Sequence, residues 1–409
     1  MPSAPSRRPG SRRAILTIAI SAIALETALL GMVAPLLPEI ERRTGAGDEA
    51  LGLALAAYAI PILFISIPVG RLADRLGRRP LLLGGLTLTA FGSILIAESG
   101  DLAPLLAGRA VQGVGSTLSW VAALALVSDL ARPGRKGEAI GFALAANSLG
   151  AIGGPALGGI AGGAISFEAP FILVSVAALS MCAVGYFVLP RVVPGPDDEP
   201  VRPRSTFSSL LRPRAALPAA IAIVGAALLG LIDFVVPLDL DRSFGTTATA
   251  IGVIFAGLAL ADAFVSPLAG TAGDRIGRRP VALLGAVMMT VSGFLLLALP
   301  ALAGAVVALA VLAIGICIVF AAAIPWLDET FGETDRGLAY GGLNLIYALG
   351  YTIGPLMGGW MLGVLSADAA YGFIAAVSAA LAIALAASRP FSPDHEAGCA
   401  ETSTTPTSG

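Results

Sequence analysis

The chain has 409 residues, of which 56% are apolar and 13% charged, against about 25% charged in an ordinary soluble domain. Its 25 basic and 27 acidic side chains give a formal net charge of -2, which leaves no electrostatic footprint for nucleic acid. Together with a mean hydropathy of +0.87 this excludes a soluble globule and fits an integral membrane protein of many helices, each needing about 20 apolar residues.

In chain order, twelve apolar segments are predicted as membrane-crossing helices: 14–37, 50–70, 80–98, 103–128, 138–163, 169–190, 215–238, 248–270, 281–299, 301–327, 337–363 and 369–388. Arg12 and Arg13 precede the first as in an export signal, but the stretch from Ala14 to Pro38 is long and carries Glu26, so it reads as a retained span. Residues 191–214, rich in Pro, Asp, Glu and Arg, are too polar to pack a core and read as a linker. The tail 389–409 turns Ser/Thr/Gly-rich and reads as disordered. The expected fold class is thus all-α integral membrane. A cytoplasmic segment 1–13 leads into six-helix halves at 14–190 and 215–388, joined by the linker.

Basic residues set the expected orientation. Twenty-one fall on one set of loops, against Arg42, Arg43 and Arg242 on the other and Arg109 within a span. The positive-inside rule then makes both termini cytoplasmic in a cell (inner or plasma) membrane. Cys182 and Cys317 lie in apolar runs and Cys399 near His395 in the tail, so no metal-ligand spacing or disulfide framework is present. No cofactor is expected, and a monomer is.

An internal repeat at an offset of 200 residues organises the chain. Ile65 to Pro80 reads ISIPVGRLADRLGRRP and Val265 to Pro280 reads VSPLAGTAGDRIGRRP. GAIGGPALGG at Gly150 to Gly159 aligns in the same way with GYTIGPLMGG at Gly350 to Gly359, and Asp129 with Glu329. Two homologous halves that start on the same side of the membrane follow.

The segment Gly70-Arg71-Leu72-Ala73-Asp74-Arg75-Leu76-Gly77-Arg78-Arg79 resembles the signature loop of the major facilitator superfamily, and its second copy holds Gly270, Asp274 and Arg275. The resemblance covers about Arg13 to Arg389 and implies the major facilitator fold, with a midplane site between two parallel repeats. It also implies a cytoplasmic latch that holds the outward-open state. Asp74 would face a helix N-terminus there and Asp129 would meet Arg75, Arg78 or Arg79, with Asp274, Arg275 and Glu329 as the second-half set. Simple topogenic anchoring by the arginines is the other reading of their charge. Arg109-Ala110-Val111-Gln112-Gly113-Val114-Gly115 resembles the superfamily's Arg-x-x-Gln-Gly-x-Gly element, linked to proton coupling. Gly150, Gly154, Pro155, Gly158 and Gly159 resemble its drug:proton antiporter element, and Gly350, Gly354, Pro355, Gly358 and Gly359 form a similar copy found in relatives of vesicular amine transporters. On physical grounds alone the same glycines serve close helix packing, and the prolines permit a bend.

Charges at membrane depth are the candidate proton-coupling residues. Glu26 lies midway along its span, where an ionised carboxylate costs at least about 2.5 kcal/mol, so it must be paired, protonated or wet. Arg109, about 10 Å below the outer surface by helix rise, can reach it, either in a partner exchange that binds and releases a proton or in a static ion pair. Asp233 in span seven and Asp262 in span eight have no basic residue in their own spans and can meet a cation. Glu26 and Asp233 match acids of amine-transporter relatives. Asn344 stands where those relatives have an acid, and Tyr58 where they have a base. Tyr58, Gln112, Asn147, Asn344 and Tyr347 are candidate cavity residues, with helix-to-helix hydrogen bonding as the alternative.

The expected function is a secondary transporter, a proton-coupled antiporter exporting small amphipathic or cationic organic molecules by alternating access, with the lipid bilayer, protons and a small organic substrate as its partners. A sugar or metabolite exporter or importer of the same superfamily is the alternative, and a non-transporting membrane sensor stands behind both. An enzyme is not expected, since no nucleophile arrangement and no phosphate-binding Gly-x-x-x-x-Gly-Lys loop occurs.

Overall fold

The computed structural model describes residues 9–131, 136–190, 213–331 and 336–388, and among the described residues it holds helices and no strands. The first span, α1 (Pro9–Met32), passes through a 3-10 turn (Ala34–Leu36) into the short α2 (Leu37–Thr44). Pro35 and Pro38 lack the N–H a continuous helix needs, which accounts for the break. The first half continues with α3 (Asp48–Leu76), α4 (Arg78–Ala97), α5 (Leu102–Asp129), α6 (Lys136–Ala164) and α7 (Ala169–Val188). The second comprises α8 (Pro213–Phe244), α9 (Ala248–Ile276), α10 (Arg278–Ala298), α11 (Leu302–Phe331), α12 (Arg336–Val364) and α13 (Ala367–Ala387). Among the described residues, eleven segments are long and apolar enough to cross a membrane. With the 29-residue, Gly-rich α6 they make the twelve spans of a multi-pass membrane protein.

Helices overrun the predicted spans, α8 to Phe244 and α3 to Leu76, because hydropathy stops at the membrane edge while backbone hydrogen bonding continues. The signature segment between spans two and three is accordingly hardly a loop. One residue, Gly77, separates α3 from α4, and its counterpart Gly277 separates α9 from α10. Their φ angles of +84° and +94° are ones a side chain would strain, so glycine is required at both joints. Pro213 and Arg214, assigned to the linker, begin α8; residues 191–212, the tail from 389, and residues 1–8 lie outside the described residues.

We call the end of the bundle holding the start of α1 and the finish of α13 the terminal end. The halves meet through two symmetry-related pairs, α3 with α12 and α6 with α9. In lipid no hydrophobic force draws helices together, so small residues that let backbones touch decide the seam. A Cβ at Gly52 would lie 2.5 Å from the carbonyl of Pro355, and one at Gly252 would lie 2.5 Å from that of Pro155. Gly359 against Asp48 and Gly159 against Ala248 repeat the arrangement at 2.6 and 2.5 Å. These contacts lie toward the opposite end, where one apolar core runs across both halves, including Leu29, Leu51, Phe234 and Ile251. At the terminal end the first half keeps a separate core of its own, around Ile15, Leu82 and Val127.

Candidate coupling and substrate site

Two polar clusters sit at mid-depth, one in each half. In the first, Glu26 on α1 is 1% exposed, and its carboxylate accepts from Thr89 Oγ1 on α4 at 3.1 and 3.4 Å. Ser116 and Ser119 of α5 face it within electrostatic reach, Ser119 Oγ having no hydrogen-bond partner. Tyr58 on α3 donates from its hydroxyl to Ser116 Oγ at 2.7 Å. Arg109, wholly buried on α5, lies with Cζ 4.7 Å from the Tyr58 ring centroid and donates from Nη1 to Gln112 Oε1 at 3.1 Å. Gln112 Nε2 donates to Ser93 Oγ at 2.9 Å, and Ser93 Oγ donates to the Thr89 carbonyl at 2.8 Å.

Arg109 and Glu26 thus share one polar network without touching, and no ion pair joins them. The expected direct contact is replaced by a path through Gln112, Ser93 and Thr89, with the carboxylate held by hydroxyls. Thr89, Ser93, Ser116 and Ser119 were not singled out from the sequence. Their signal was the four-residue spacing of 89 with 93, and the three- and four-residue spacings of 112, 116 and 119, which keep one polar face on each apolar helix.

In the second half, Asp233 on α8 accepts from the Tyr351 hydroxyl on α12 at 2.8 Å. The Tyr351 ring stacks on Tyr347 at 5.8 Å and 13°, and Tyr347 leans on Phe320 of α11 at 6.3 Å. Tyr351 too was missed, although it stands one helical turn from Tyr347. Asp262 on α9 lies beside Cys317 of α11, whose thiol donates to the Asp262 carbonyl at 3.6 Å. Tyr347 is within electrostatic reach of Asp233, Asp262 and, across the seam, Tyr58. Of the remaining cavity candidates, Asn147 accepts from Thr27 of α1 at 2.8 Å, inside the first half. Asn344 donates from Nδ2 to Ser66 of α3 at 3.2 Å and so bridges the halves.

The antiporter-like glycines have two faces. Gly150, Gly154 and Gly158 abut the backbone of α1, whereas Gly159 abuts α9 of the other half; Gly350 and Gly354 abut α8, Gly358 meets Phe234 of α8, and Gly359 abuts α3. Both helices run on through Pro155 and Pro355.

At the terminal end Arg78 Nε lies 3.3 Å from Asp129, and Arg278 pairs at 2.6 Å with Asp274, four residues earlier in the chain. Among the described residues, arginines at this end also donate to carbonyls of helix C-termini: Arg78 to Ala73 at 2.7 Å, Arg279 to Leu385 at 2.7 Å, Arg12 to Leu130 at 2.9 Å. That adds donors to the last carbonyls of each helix and opposes its negative pole. Gly70 and Gly270 have open space where a Cβ would stand, and Arg75 is exposed. The side chains of Asp74 and Glu329 lie outside what is described.

The opposite end carries a feature the sequence reading passed over. Arg42 lies 3.0 Å from Asp241, and Arg242 lies 2.7 Å from Glu41 and 2.5 Å from Asp48, so each half extends an arginine to the other's acids. Arg43 adds Glu168 at 2.7 Å. The repeat had announced the reciprocity: Glu41-Arg42 and Asp241-Arg242 are 200 residues apart. No cluster of metal-ligating side chains occurs among the described residues.

Comparison with known proteins agrees with this geometry. Multidrug resistance protein 1 of Bacillus subtilis (strain 168) is 24% identical over 374 residues, covering 90% of this chain and 95% of its own length. The class D tetracycline resistance protein of Salmonella ordonez is 31% identical over 277 residues, covering 66% of this chain and 69% of its own. A bacterial homologue of the human lysosomal transporter Spinster, solved in an inward-facing and occupied conformation, superposes with a TM-score of 0.77 at 14% identity, over 95% of this chain and 100% of that one. The family model described as Major Facilitator Superfamily matches residues 19–238 and 223–404, and the chain belongs to that superfamily of membrane transporters.

Proposed function

We propose that the protein is a proton-coupled antiporter that exports small amphipathic or cationic organic molecules by alternating access. The observation that carries this reading is the pair of mid-depth acids, Glu26 in one half and Asp233 in the other. Among the described residues neither has an ion-pair partner, and each is held by neutral hydroxyl donors. A carboxylate in such surroundings exchanges a proton or a cation when its solvent access changes, and moving the halves about the seam changes that access. The resemblance of the multidrug and tetracycline resistance proteins supports export as the direction. Glu26 is assigned the proton, with Arg109 tuning it through Gln112, Ser93 and Thr89. Asp233 is assigned the cation, and Asp262 is a reserve acid near the same aromatic wall.

The basic asymmetry of the loops assigns the terminal end to the cytoplasm, both chain termini with it. On this reading the arrangement is sealed outside by the Arg42 and Arg242 pairs, and the separate core of the first half at the terminal end supports an opening on the inside. In the outward-open state the segment around Asp74, with Arg78 and Asp129, would close that inner end. The functional unit is the monomer, in the cell membrane. The test is uptake of a lipophilic cation into everted vesicles under an imposed proton gradient: accumulation that collapses with the gradient is expected, and gradient-independent accumulation refutes the coupling.

A further inference from the structure

Arg109 is the largest fully buried side chain among the described residues, and it is incompletely paired. Nη1 donates to Gln112, whereas Nε and Nη2 have no hydrogen-bond partner. Those two nitrogens form the side edge of the guanidinium, the edge that grips a carboxylate with two parallel hydrogen bonds. A guanidinium cannot shed its charge, so an unfilled edge inside a membrane protein is a strong standing preference for an anion. Glu26 does not fill it, its carboxylate accepting from Thr89 instead.

Across the seam, Tyr351 lies within electrostatic reach of Arg109, and the Tyr351 hydroxyl donates to Asp233. A cation of the first half and an acid of the second therefore flank one tyrosine, each lacking a counter-ion. Tyr58, Tyr347 and Phe320 supply apolar surface beside them. We propose that the transported molecule is amphoteric, its carboxylate docking on the Nε–Nη2 edge of Arg109, its protonated amine on Asp233, and its apolar body on the tyrosines between. Docking at Arg109 requires the seam to part, since the guanidinium is covered in the present arrangement, and alternating access supplies that motion. The inference rests on the proposed export function only in taking this cluster as the substrate site.

The test uses the purified full-length protein in detergent and three matched probes: 4-(octylaminomethyl)benzoic acid, its methyl ester, which is a cation only, and its N-acetyl derivative, which is an anion only. Wild-type protein should bind the amphoteric acid at least tenfold more tightly than either derivative. Arg109→Gln should erase the preference over the ester, and Asp233→Asn the preference over the N-acetyl compound. Arg109→Lys, which keeps the charge but not the two-bond edge, should retain part of the preference. Thermal unfolding of each variant checks that it is folded. Equal affinity for acid and ester in the wild type, or a preference that survives Arg109→Gln, overturns the proposal. So does absence of saturable binding of the acid by protein that still binds tetraphenylphosphonium. Proton release on tetraphenylphosphonium binding is measured alongside: its presence with an indifferent probe series sinks this inference alone, and its absence sinks the export reading.

Discussion

Under the proposed alternating access, the reciprocal arginines of the opposite end should favour the state closed at that end, by an amount that follows from their geometry. Removing Arg242 breaks two inter-half pairs, to Glu41 and Asp48, at side-chain exposures of 37% for the arginine and 32% and 14% for the acids. Exposed pairs are worth about 0.2–1 kcal/mol each after solvent screening, so the loss of two is about 0.4–2 kcal/mol. Since every 1.4 kcal/mol is about a tenfold change in an equilibrium, Arg242→Ala should move the ratio of closed to open at that end by roughly 2–30-fold. Arg42→Ala, which loses only Asp241 across the seam with the arginine 54% exposed, should move it less. Spin labels on Thr44 and Thr247, with the native cysteines replaced, report the separation of the halves there as a distance distribution. The open population should grow in Arg242→Ala, grow further as salt is raised in the wild type, and return toward the original in the swap Arg42→Asp with Asp241→Arg. A distribution unchanged by Arg242→Ala at low salt would refute the reasoning, because the pairs would then be ornaments of a seam fixed by packing alone.

Three other outcomes follow from the same geometry. Reporter fusions at Asp198 and at the C-terminus should both read as cytoplasmic; an external signal from either contradicts the assignment of the terminal end. Glu26→Gln should abolish proton-driven export while leaving measurable substrate binding, and Asp233→Asn should weaken cationic substrates more than neutral ones; wild-type proton release from Glu26→Gln would transfer the coupling role to Asp233 or Asp262. Gly252→Leu places a side chain where even a Cβ lies 2.5 Å from the Pro155 carbonyl and 2.7 Å from Gly159 Cα. Overpacking of that kind costs about 1–3 kcal/mol, so the variant should insert and fold but open at the end opposite the termini, read by the same pair of labels.

Much of the architecture was legible because it is written in periodicities that need no partner to be seen. Twelve apolar stretches, a 200-residue offset and the sorting of basic residues fix spans, halves and expected orientation from composition along the chain alone. The extents were less legible. Hydropathy ended span two at 70, yet α3 continues to Leu76 and the signature segment shrinks to the single joint at Gly77. Helical hydrogen bonding does not stop where lipid does, and only a residue that breaks it marks the true end.

The polar site was half legible, for a physical reason. A charge in an apolar run announces itself, so Glu26, Arg109 and Asp233 stood out, whereas a hydroxyl in such a run is cheap and common. The groups that hold those charges, Thr89, Ser93, Ser116 and Tyr351, reach them from other helices and are visible only once the helices are packed. Direct pairing of Glu26 with Arg109 was the natural expectation from two opposite charges at similar depth. The fold instead gives the acid to hydroxyls and the base to Gln112 and the Tyr58 ring. The difference matters for transport. A carboxylate neutralised by a permanent ion pair is a structural fixture, because removing either partner strands the other in a low-dielectric interior. A carboxylate held by neutral donors keeps both its proton and its cation exchangeable. An arginine left with a bidentate edge free keeps its own demand for an anion. Under the proposed antiport, keeping the two charges apart on one network would leave both available to ligands that arrive when the seam opens.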